Sequence, residues 1–415
     1  MTHLQCVNCQ KHFPLFELRF ECDCEGLLEV IHEAEGLRDL PQLAEKRLTS
    51  RIPADRSGVW RFREAVVPLE EKEIVTQLEG RTGFHAVESL QKWTGSPGLF
   101  IKHEGENPTG SFKDRGMTAA VSVAKRLGMP LLACASTGNT SSALSSYAAR
   151  AGLKSVVFLP SGKVSLGKMA QTLGYGAHVL AVKGDFDDAM QIVRDLAKAG
   201  EVYMVNSLNP FRIEGQKTII WDILQDMNWQ APDWIVVPGG NLGNTSAFGK
   251  AIEEAFEWGW IDKKPRLATI QAAGANPFYK SFLNGFSSLQ SIQAETIATA
   301  IRIGNPVNFS RASRAIINTR GIVGQVSDKE ILAAKAVIDR SGLGCEPASA
   351  ATLAGLKLMV QAGLVKKEDK VVAVLTGSML KDTDAIMKSQ NLTVEEVEAD
   401  AKAIKLSLDS LRSKH

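Results

Sequence analysis

The sequence has little net charge, no long apolar run, and only two of its six cysteines beyond residue 24. Its 48 basic and 46 acidic residues leave a net charge of +2, which gives no electrostatic reason to expect nucleic acid or a membrane surface as partner. No apolar run approaches the roughly 18 residues that a membrane helix needs. The first residues also lack the charged and apolar regions of a signal peptide. We therefore expect a cytoplasmic protein.

The chain, with 415 residues, is too long for one ordinary hydrophobic core. From Leu99 onward, short apolar runs alternate with turns and with segments whose apolar residues recur about every 3.6 positions. This alternation predicts an α/β fold of two doubly wound lobes, with parallel sheets covered on both faces. Ligands of such folds bind beyond the carboxyl ends of the strands.

Changes in composition divide the chain into four predicted segments, without internal repeats or low-complexity stretches. They are a cysteine-rich ribbon (1–30), a partly helical segment joining the large lobe (31–98), a first α/β lobe that includes a smaller domain (99–210), and a second α/β lobe with C-terminal helices (211–415). The helices predicted within the lobes are Phe112–Leu127, Ser141–Ala151, Val164–Leu173, Phe186–Lys198, Gln216–Asp226 and Ser246–Trp258.

A lysine stands at the start of the first predicted helix of the lobes. The strand-like run LFIKHE is followed by NPTGSFKDRG, whose Asn-Pro and Thr-Gly pairs predict a turn. Ser111 can cap the helix, and Lys113 lies in its first turn. The positive end of the helix dipole disfavours an ammonium ion there, so Lys113 is a candidate for the free amine that a Schiff base requires. Taken alone, the motif is equally compatible with a solvated lysine.

A glycine-rich turn follows the strand-like run WIVVP that begins at Trp234. Gly239, Gly240 and Gly243 allow close approach of a ligand to the backbone, and a helix starts near Thr245. Backbone N–H groups and a helix N-terminus together make an anion site. The turn lacks the lysine of the Walker pattern, so backbone dipoles would hold the phosphate. The alternative is a plain connection between strand and helix.

Two more turns offer groups for anions. Ser136, Thr137 and Asn139 follow the run LLACA, and hydroxyls and amides at a helix start suit a carboxylate, or simply cap the helix. Arg212 follows the run VYMVN in a Ser-Leu-Asn-Pro turn. Because a guanidinium fork matches a phosphate dianion, Arg212 predicts a second anion site, separate from the glycine-rich turn.

The motifs NPTGSFKDRG, ASTGNT and GGNLGN occur together in a known family. In this order they resemble the fold-type II pyridoxal phosphate (PLP) enzymes, the tryptophan synthase β family, and the resemblance runs from Leu99 to Lys381. Within that family, the chain is most similar to the threonine synthases, on the segments VNSLNPFRIEGQKT, RIGNPVNF, CEPASAATLAGL and LTGSMLKD. Those enzymes often read LTGHGLKDP in the last segment. Ser378 and Met379 therefore depart from the pattern, which leaves the substrate less certain than the cofactor.

The resemblance implies a role for each residue that matches. Lys113 would form the Schiff base and act as the catalytic base, Asn139 would hydrogen-bond the cofactor's O3′, and Thr376 would meet its pyridine nitrogen. The implied cradle for the cofactor phosphate is Gly240, Asn241, Leu242, Gly243 and Asn244. The implied substrate-binding residues are Ser136 and Thr137 for the α-carboxylate, and Asn206, Ser207, Arg212 and, as a helper, Lys168 for the substrate phosphate.

The implied reaction is the PLP-dependent β,γ-replacement that converts O-phospho-L-homoserine and water into L-threonine and phosphate, the last step of threonine biosynthesis. The resemblance also implies a homodimer. Two alternatives within the family are a paralogue acting on phosphoserine, like cysteate synthase, and a threonine or serine dehydratase. The phosphate-binding segment from Asn206 to Arg212 argues against the dehydratase.

The four cysteines of the predicted ribbon are Cys6, Cys9, Cys22 and Cys24. In a reducing compartment, such a cluster indicates a metal site more than disulfides. Four thiolates could surround a structural, tetrahedral zinc ion, although the second pair is Cys-x-Cys rather than Cys-x2-Cys. His3 and His12 are nearby alternative ligands, and a reduced ribbon without metal is the competing interpretation.

Overall fold

The computed structural model describes residues 2–162, 166–389 and 396–412. Its strands are β1 (His3–Cys6), β2 (His12–Pro14), β3 (Leu28–Ile31), β4 (Phe84–His85), β5 (Leu99–His103), β6 (Leu131–Ala135), β7 (Lys154–Pro160), β8 (His178–Val182), β9 (Tyr203–Met204), β10 (Trp234–Pro238), β11 (Arg266–Ala272), β12 (Ile322–Val326) and β13 (Val371–Leu375).

Helices connect most of these strands. They are α1 (Leu40–Arg47), α2 (Pro53–Arg56), α3 (Glu88–Thr94), α4 (Lys113–Arg126), α5 (Asn139–Ala151), α6 (Leu166–Gly174), α7 (Phe186–Lys198), α8 (Pro210–Asp226), α9 (Gly243–Glu257), α10 (Pro277–Leu283), α11 (Phe309–Asn318), α12 (Asp328–Arg340), α13 (Pro347–Gln361), α14 (Thr383–Ser389) and α15 (Ala401–Arg412). None of these described helices combines the length and the apolar character that a membrane crossing needs.

The strands form three sheets, as the predicted fold class requires. The N-terminal ribbon is antiparallel, in the order β2-β1-β3. A four-stranded parallel sheet has the order β8-β7-β6-β9. A six-stranded sheet has the order β12-β11-β10-β13-β5-β4 and is parallel except for β4. The predicted α/β fold of two parallel-sheet lobes with a small N-terminal ribbon is confirmed.

Strand β10 shows why its sequence is a continuous apolar run. Trp234 and Val236 belong to the hydrophobic core on the side of α12 and α13, whereas Ile235 and Val237 belong to the core on the other face of the sheet. Since successive strand residues point to opposite faces, a strand that is buried on both faces shows no polar alternation.

The sheets differ from the predicted segments in one respect. Strand β5 was assigned to the first lobe (99–210), but it pairs with β13 in the six-stranded sheet. The boundaries themselves stay a prediction. Three helices begin earlier than predicted: α5 starts at Asn139, α8 at Pro210 and α9 at Gly243. At the start of α8, the side chain of Asn209 accepts the N–H of Phe211 at 3.0 Å. The predicted start of α6, at Val164, lies outside the described residues.

Helix α8 is the centre of the structure, since all its residues from Pro210 to Gln225 are buried. It crosses α4 at glycine contacts. A Cβ atom on Gly215 would lie 1.8 Å from the carbonyl oxygen of Arg115, and one on Gly116 would lie 2.9 Å from the carbonyl oxygen of Arg212. The two backbones therefore touch, and this contact places the start of α4 against the start of α8.

Buried ion pairs fix the same crossing. The guanidinium of Arg115 donates to both carboxylate oxygens of Glu104, at 2.6 and 2.7 Å, and to Asp222 of α8 at 2.6 Å. Lys102 of β5 lies 3.0 Å from the same Asp222 carboxylate. All four side chains are buried. Because each charge has a partner, the network tolerates burial, but losing one member would leave the others unpaired.

We therefore predict that Arg115→Met lowers the free energy of unfolding by about 3–5 kcal/mol, because two buried carboxylates lose a partner. The matched control is Arg126→Gln on the same helix, because the ion pair of Arg126 with Glu73 is partly exposed. Its cost should stay below about 1 kcal/mol. Urea unfolding followed by circular dichroism measures both, and equal losses in the two variants would contradict the role assigned to the network.

Candidate active site

Lys113 begins α4 directly beside the end of β13. The N–H of Phe112 donates to the carbonyl oxygen of Thr376 at 2.9 Å, and Ser111 forms an isolated bridge with Gly377. The expected capping by Ser111 is weak, since its hydroxyl accepts the N–H of Lys113 at a long 3.4 Å. The position of the lysine is therefore set mainly by the pairing between its preceding turn and the segment after β13.

The amine of Lys113 is easily deprotonated, as the sequence predicted. Its pKa is lowered to about 7, first because burial disfavours the ammonium ion and then because the positive charge of Arg212 repels it. The carboxylate of Glu346 acts in the opposite direction on this pKa. The sequence-based reasoning attributed the effect to the helix dipole, whereas burial is the leading cause in the structure.

Glu346 is a site residue that the sequence analysis did not identify. It immediately precedes α13, is buried, and accepts hydrogen bonds from the side-chain amide of Asn139 at 3.1 and 3.3 Å. Burial raises the pKa of its carboxyl group. The residue lies in CEPASAATLAGL, but a glutamate ahead of Pro347 reads as an ordinary helix start. It becomes notable only because the fold brings α13 against the start of α5.

The hydroxyl of Thr376 is oriented by Ser349. The Ser349 oxygen accepts the N–H groups of Thr376 and Gly377 at 2.9 and 3.0 Å, which uses its two lone pairs. Its own hydrogen then donates to the nearer of two acceptors, the Thr376 hydroxyl at 2.9 Å, rather than the Gly377 carbonyl at 3.5 Å. The Thr376 hydrogen is left to donate elsewhere, as an acceptor such as a pyridine nitrogen requires.

The glycine-rich turn lies between β10 and α9. A Cβ atom on Gly240 would lie 2.9 Å from the Cα atom of Ile301, so a larger residue does not fit. Leu242 has a left-handed φ of 62°, and α9 begins at Gly243, so the first N–H groups of the helix have no partner within it. Asn244 is buried, and its Oδ1 atom has no hydrogen-bond partner among the described residues.

Asn241 holds this turn in place with three hydrogen bonds. Its side-chain amide donates to the Ser207 hydroxyl at 3.0 Å and accepts the N–H of Val307 at 2.8 Å. Its carbonyl oxygen accepts the side-chain amide of Asn308 at 3.1 Å. Val307 and Asn308 belong to RIGNPVNF, so that segment supports the turn, and Ser207 joins the turn to the loop before α8.

Arg212 lies buried in the first turn of α8. It donates one hydrogen bond, to the carbonyl oxygen of Val205 at 3.0 Å, and its Nε atom has no partner among the described residues. Burial lowers its pKa to about 10, so it remains charged at neutral pH. A buried guanidinium without a carboxylate partner is the arrangement expected of an anion site.

The structure says less about the other predicted substrate-binding residues. The Asn206 amide bonds both the N–H and the carbonyl of Ala135, at 3.1 and 3.0 Å, so its side chain clamps the end of β6. Ser136 and Thr137 follow that strand end, and the Ser136 hydroxyl accepts the N–H of Gly138 at 3.3 Å. Lys168 belongs to α6, but its side chain lies outside what the structure describes.

These residues fit pyridoxal phosphate. The low pKa of Lys113 suits a covalent bond to an aldehyde, and the unpaired polar atoms of Arg212 and Asn244 are buried where anions would bind. Gln216 lies between α4 and the glycine-rich turn. A Cβ atom added to Gly116 of α4 would lie 3.0 Å from its Nε2 atom, and one added to Gly243 of the turn would lie 3.2 Å from its Oε1 atom. The glycine-rich turn is thus adjacent to the first turns of α4.

The four ribbon cysteines are gathered into one cluster, and they are not disulfide-bonded. The sulfurs of Cys6 and Cys24, and of Cys9 and Cys22, lie 3.5 Å apart, and all four lie within 4.8 Å of one another. In a tetrahedral zinc site, the sulfurs are about 3.8 Å apart. The pKa of Cys9 is lowered to about 7, first by a hydrogen bond from the backbone of Lys11. Burial and hydrogen bonds with neighbouring thiols raise the pKa of Cys22 and Cys24, so it is the geometry that suits a metal.

Comparisons with known proteins agree with these features. The family model for pyridoxal-phosphate dependent enzymes matches residues 75–377. The threonine synthase of Methanocaldococcus jannaschii is 44% identical over 409 residues, which are 98% of this chain and 99% of that protein. The threonine synthase of Methanosarcina acetivorans is 43% identical over 405 residues, which are 97% of this chain and 98% of that protein.

The crystal structure of Escherichia coli threonine synthase has a TM-score of 0.72 and covers 97% of this chain and 94% of that chain. At 17% identity, this likeness shows the fold alone. The chain belongs to the pyridoxal-phosphate-dependent enzyme family. The resemblance to threonine synthases that the motifs indicated is confirmed by relatives matched over nearly their whole length.

We predict that an amine-acylating reagent modifies Lys113 of the cofactor-free protein with a midpoint near pH 7, since the pKa of Lys113 is about 7. Arg212→Gln removes a repelling positive charge, so the midpoint should move to higher pH. Glu346→Gln removes an attracting negative charge, so it should move to lower pH. Mass spectrometry of the Lys113 peptide gives the modified fraction. A wild-type midpoint at about 10, the ordinary value, or shifts of the same sign in both variants would contradict the assignment.

Proposed function

We propose that the protein is a threonine synthase, a PLP-dependent lyase that converts O-phospho-L-homoserine and water into L-threonine and phosphate. The observation that carries this is the buried guanidinium of Arg212, which has no carboxylate partner among the described residues and whose charge acts on Lys113. It belongs to α8 and not to the glycine-rich turn. Two anion sites beside one amine suit a phosphorylated cofactor together with a phosphorylated substrate. The threonine synthases that match nearly the whole chain support the same reaction.

In this proposal, the cofactor is bound covalently to Lys113. Asn139 hydrogen-bonds its O3′ oxygen and Thr376 donates to its ring nitrogen. When bound, pyridoxal phosphate accepts electron density from the substrate carbon that loses a proton. The residues of the cradle for its phosphate are Gly240, Asn241, Leu242, Gly243 and Asn244. Because Thr376 is neutral and Ser349 directs its hydrogen outward, the ring nitrogen is met by a hydrogen-bond donor rather than by a carboxylate.

The side chains of the protein supply binding and proton transfer. The amine of Lys113 would be free once the substrate amine takes its place on the cofactor, and its low pKa of about 7 would then let it take the proton from Cα near neutral pH. Ser136 and Thr137 bind the α-carboxylate. Arg212 orients the substrate phosphate and stabilises its negative charge as the bond to Cγ breaks. Ser207 binds the same phosphate, and Lys168 assists.

Asn206 has two roles in this proposal. Its amide bonds the backbone of Ala135 and so fixes the strand end from which the carboxylate-binding residues emerge. The Nδ2 atom carries a second hydrogen, so it can donate to the substrate phosphate without breaking these bonds.

A paralogue that acts on phosphoserine is the second candidate, because Ser378 and Met379 stand where threonine synthases often have His and Gly. The N–H of Ser378 donates to the carbonyl of Gly110 at 2.9 Å, in the turn that precedes Lys113. The sulfur of Met379 packs against Gly344, where an added Cβ atom would lie 2.5 Å away. The two departing residues therefore lie beside the turn that carries Lys113.

We expect Lys113→Ala to abolish phosphate release, and Arg212→Gln to lower kcat/KM for O-phospho-L-homoserine on the order of 100-fold, because charge-assisted hydrogen bonds to the leaving phosphate are lost. The assay compares phosphohomoserine, phosphoserine and threonine at a pH above the Lys113 midpoint of each variant. Arg150→Gln, at the exposed end of α5, is the control. Turnover of phosphoserine or threonine without phosphohomoserine would reject the proposed substrate.

For the ribbon, we propose a structural zinc ion held by Cys6, Cys9, Cys22 and Cys24. The distances between the four sulfurs support it. The N–H groups of Asn8 and Cys9 point to the Cys6 sulfur at 3.4 and 3.5 Å, as expected for a thiolate acceptor. A homodimer, a cytoplasmic location, and the absence of nucleic-acid or membrane partners stay predictions.

The zinc proposal predicts about one zinc ion per chain, measured by elemental mass spectrometry after dialysis against a weak chelator. Cys9→Ser and Cys24→Ser should each lose most of the metal, because a tetrahedral site needs its four ligands. Cys345→Ala removes a cysteine outside the ribbon and should keep it. Retention of zinc in all three variants, or its absence from the wild type, would reject the site.

A further inference from the structure

The cysteine ribbon and the glycine-rich turn are joined by one buried arginine. Arg311 of α11 is 3% exposed, and its guanidinium donates to the carbonyl oxygen of Leu28 in β3 at 2.5 Å. Leu28 pairs with Cys6 in the register of the ribbon sheet. The backbone held by Arg311 is therefore directly opposite one of the clustered cysteines.

The same guanidinium also points to the turn. Its second nitrogen donates to the Oδ1 atom of Asn308 at 3.1 Å, and the Nδ2 atom of Asn308 donates to the carbonyl oxygen of Asn241 at 3.1 Å. Asn241 lies at the middle of the glycine-rich turn. An unbroken series of hydrogen bonds thus runs from the ribbon backbone, through Arg311 and Asn308, to the turn.

A role in stability alone explains Arg311 poorly. Burying a guanidinium costs desolvation free energy, and among the described residues its hydrogen-bond acceptors are neutral. An apolar residue of similar volume would fill the same space without that cost. A planar guanidinium, unlike an apolar side chain, holds two N–H donors in fixed directions. It therefore fixes the position of Leu28 relative to Asn308.

We propose that Arg311 is a positioning residue that fixes the glycine-rich turn to the cysteine ribbon, so that the order of the ribbon determines how tightly the turn holds the cofactor phosphate. This rests on the proposed function, in which that turn binds the phosphate of pyridoxal phosphate. The ribbon is then part of the cofactor site, although none of its residues touches the cofactor.

Other contacts hold the ribbon on the same helices without reaching the turn. Lys250 of α9 donates to the carbonyl of Val30 and to Glu214. Arg314, one helical turn after Arg311, pairs with Glu29 of β3 at the surface. These contacts should keep the ribbon attached when Arg311 is replaced. They also provide the matched control, because Arg314→Gln breaks a link between the same two elements that does not continue to Asn308.

The experiment measures the dissociation constant of pyridoxal phosphate by titrating the cofactor-free full-length protein and following the visible absorption of the bound cofactor. Loss of two buried hydrogen bonds in Arg311→Met should weaken binding by about tenfold or more, and Arg311→Lys should lie in between. Arg314→Gln should stay within about twofold of the wild type. Cys6→Ser should weaken cofactor binding when introduced into the wild type. In the Arg311→Met variant it should cause little further loss of affinity, because both substitutions act through the same series of hydrogen bonds.

Equal dissociation constants for wild type and Arg311→Met would overturn the inference, as would an equal effect of Cys6→Ser in both backgrounds. Near-ultraviolet circular dichroism shows whether each variant is folded. If Arg311→Met does not fold, the dissociation constant of Arg311→Lys is compared with that of the wild type instead, and equal values would overturn the inference. Borohydride reduction and mass spectrometry of the wild-type Lys113 peptide provide a separate result. If no pyridoxyl group is found there, the proposed function fails rather than the role of Arg311.

Discussion

The crossing of α4 and α8 is the contact on which the rest of the site depends. At Gly116 and Gly215, the helices touch backbone to backbone, and the buried charges of Arg115 and Asp222 hold them there. This contact brings the first turns of the two helices together, so that the cation of Arg212 acts on the amine of Lys113. Burial is the first cause of the low pKa of Lys113 and this cation is the second, so the pKa depends on how the helices pack.

The site also shows how a parallel fold concentrates positive potential without many lysines. Helices α4, α5, α8 and α9 each begin just after a strand or a turn at the same end of the sheets, and their N-termini carry partial positive charge. In the proposed function, backbone N–H groups bind one phosphate and a guanidinium binds the other. Glu346 supplies negative charge within this region, and it touches Asn139 rather than an anion-binding group.

The sequence predicts most residues that lie in consecutive motifs, and misses those that only the tertiary structure brings together. Lys113 and the glycine-rich turn stand in strand–turn–helix units whose local geometry follows from their turn residues. Glu346 lies just before α13 and Ser349 lies on it, and both contact groups in other parts of the chain, so nothing local marks them. Arg311 resembles any arginine on an amphipathic helix until its buried partners are known.

The position of β13 has a consequence for how the protein is made. This strand is among the last elements of the chain, yet it lies in the middle of the six-stranded sheet, between β10 and β5. During synthesis on the ribosome, those two strands emerge well before the partner that separates them. The nascent chain must therefore wait with two unpaired apolar strand edges, a state in which chaperones shield a polypeptide from aggregation. The lysine turn, in which the N–H of Phe112 bonds Thr376, can then be completed only after β13 has been synthesised.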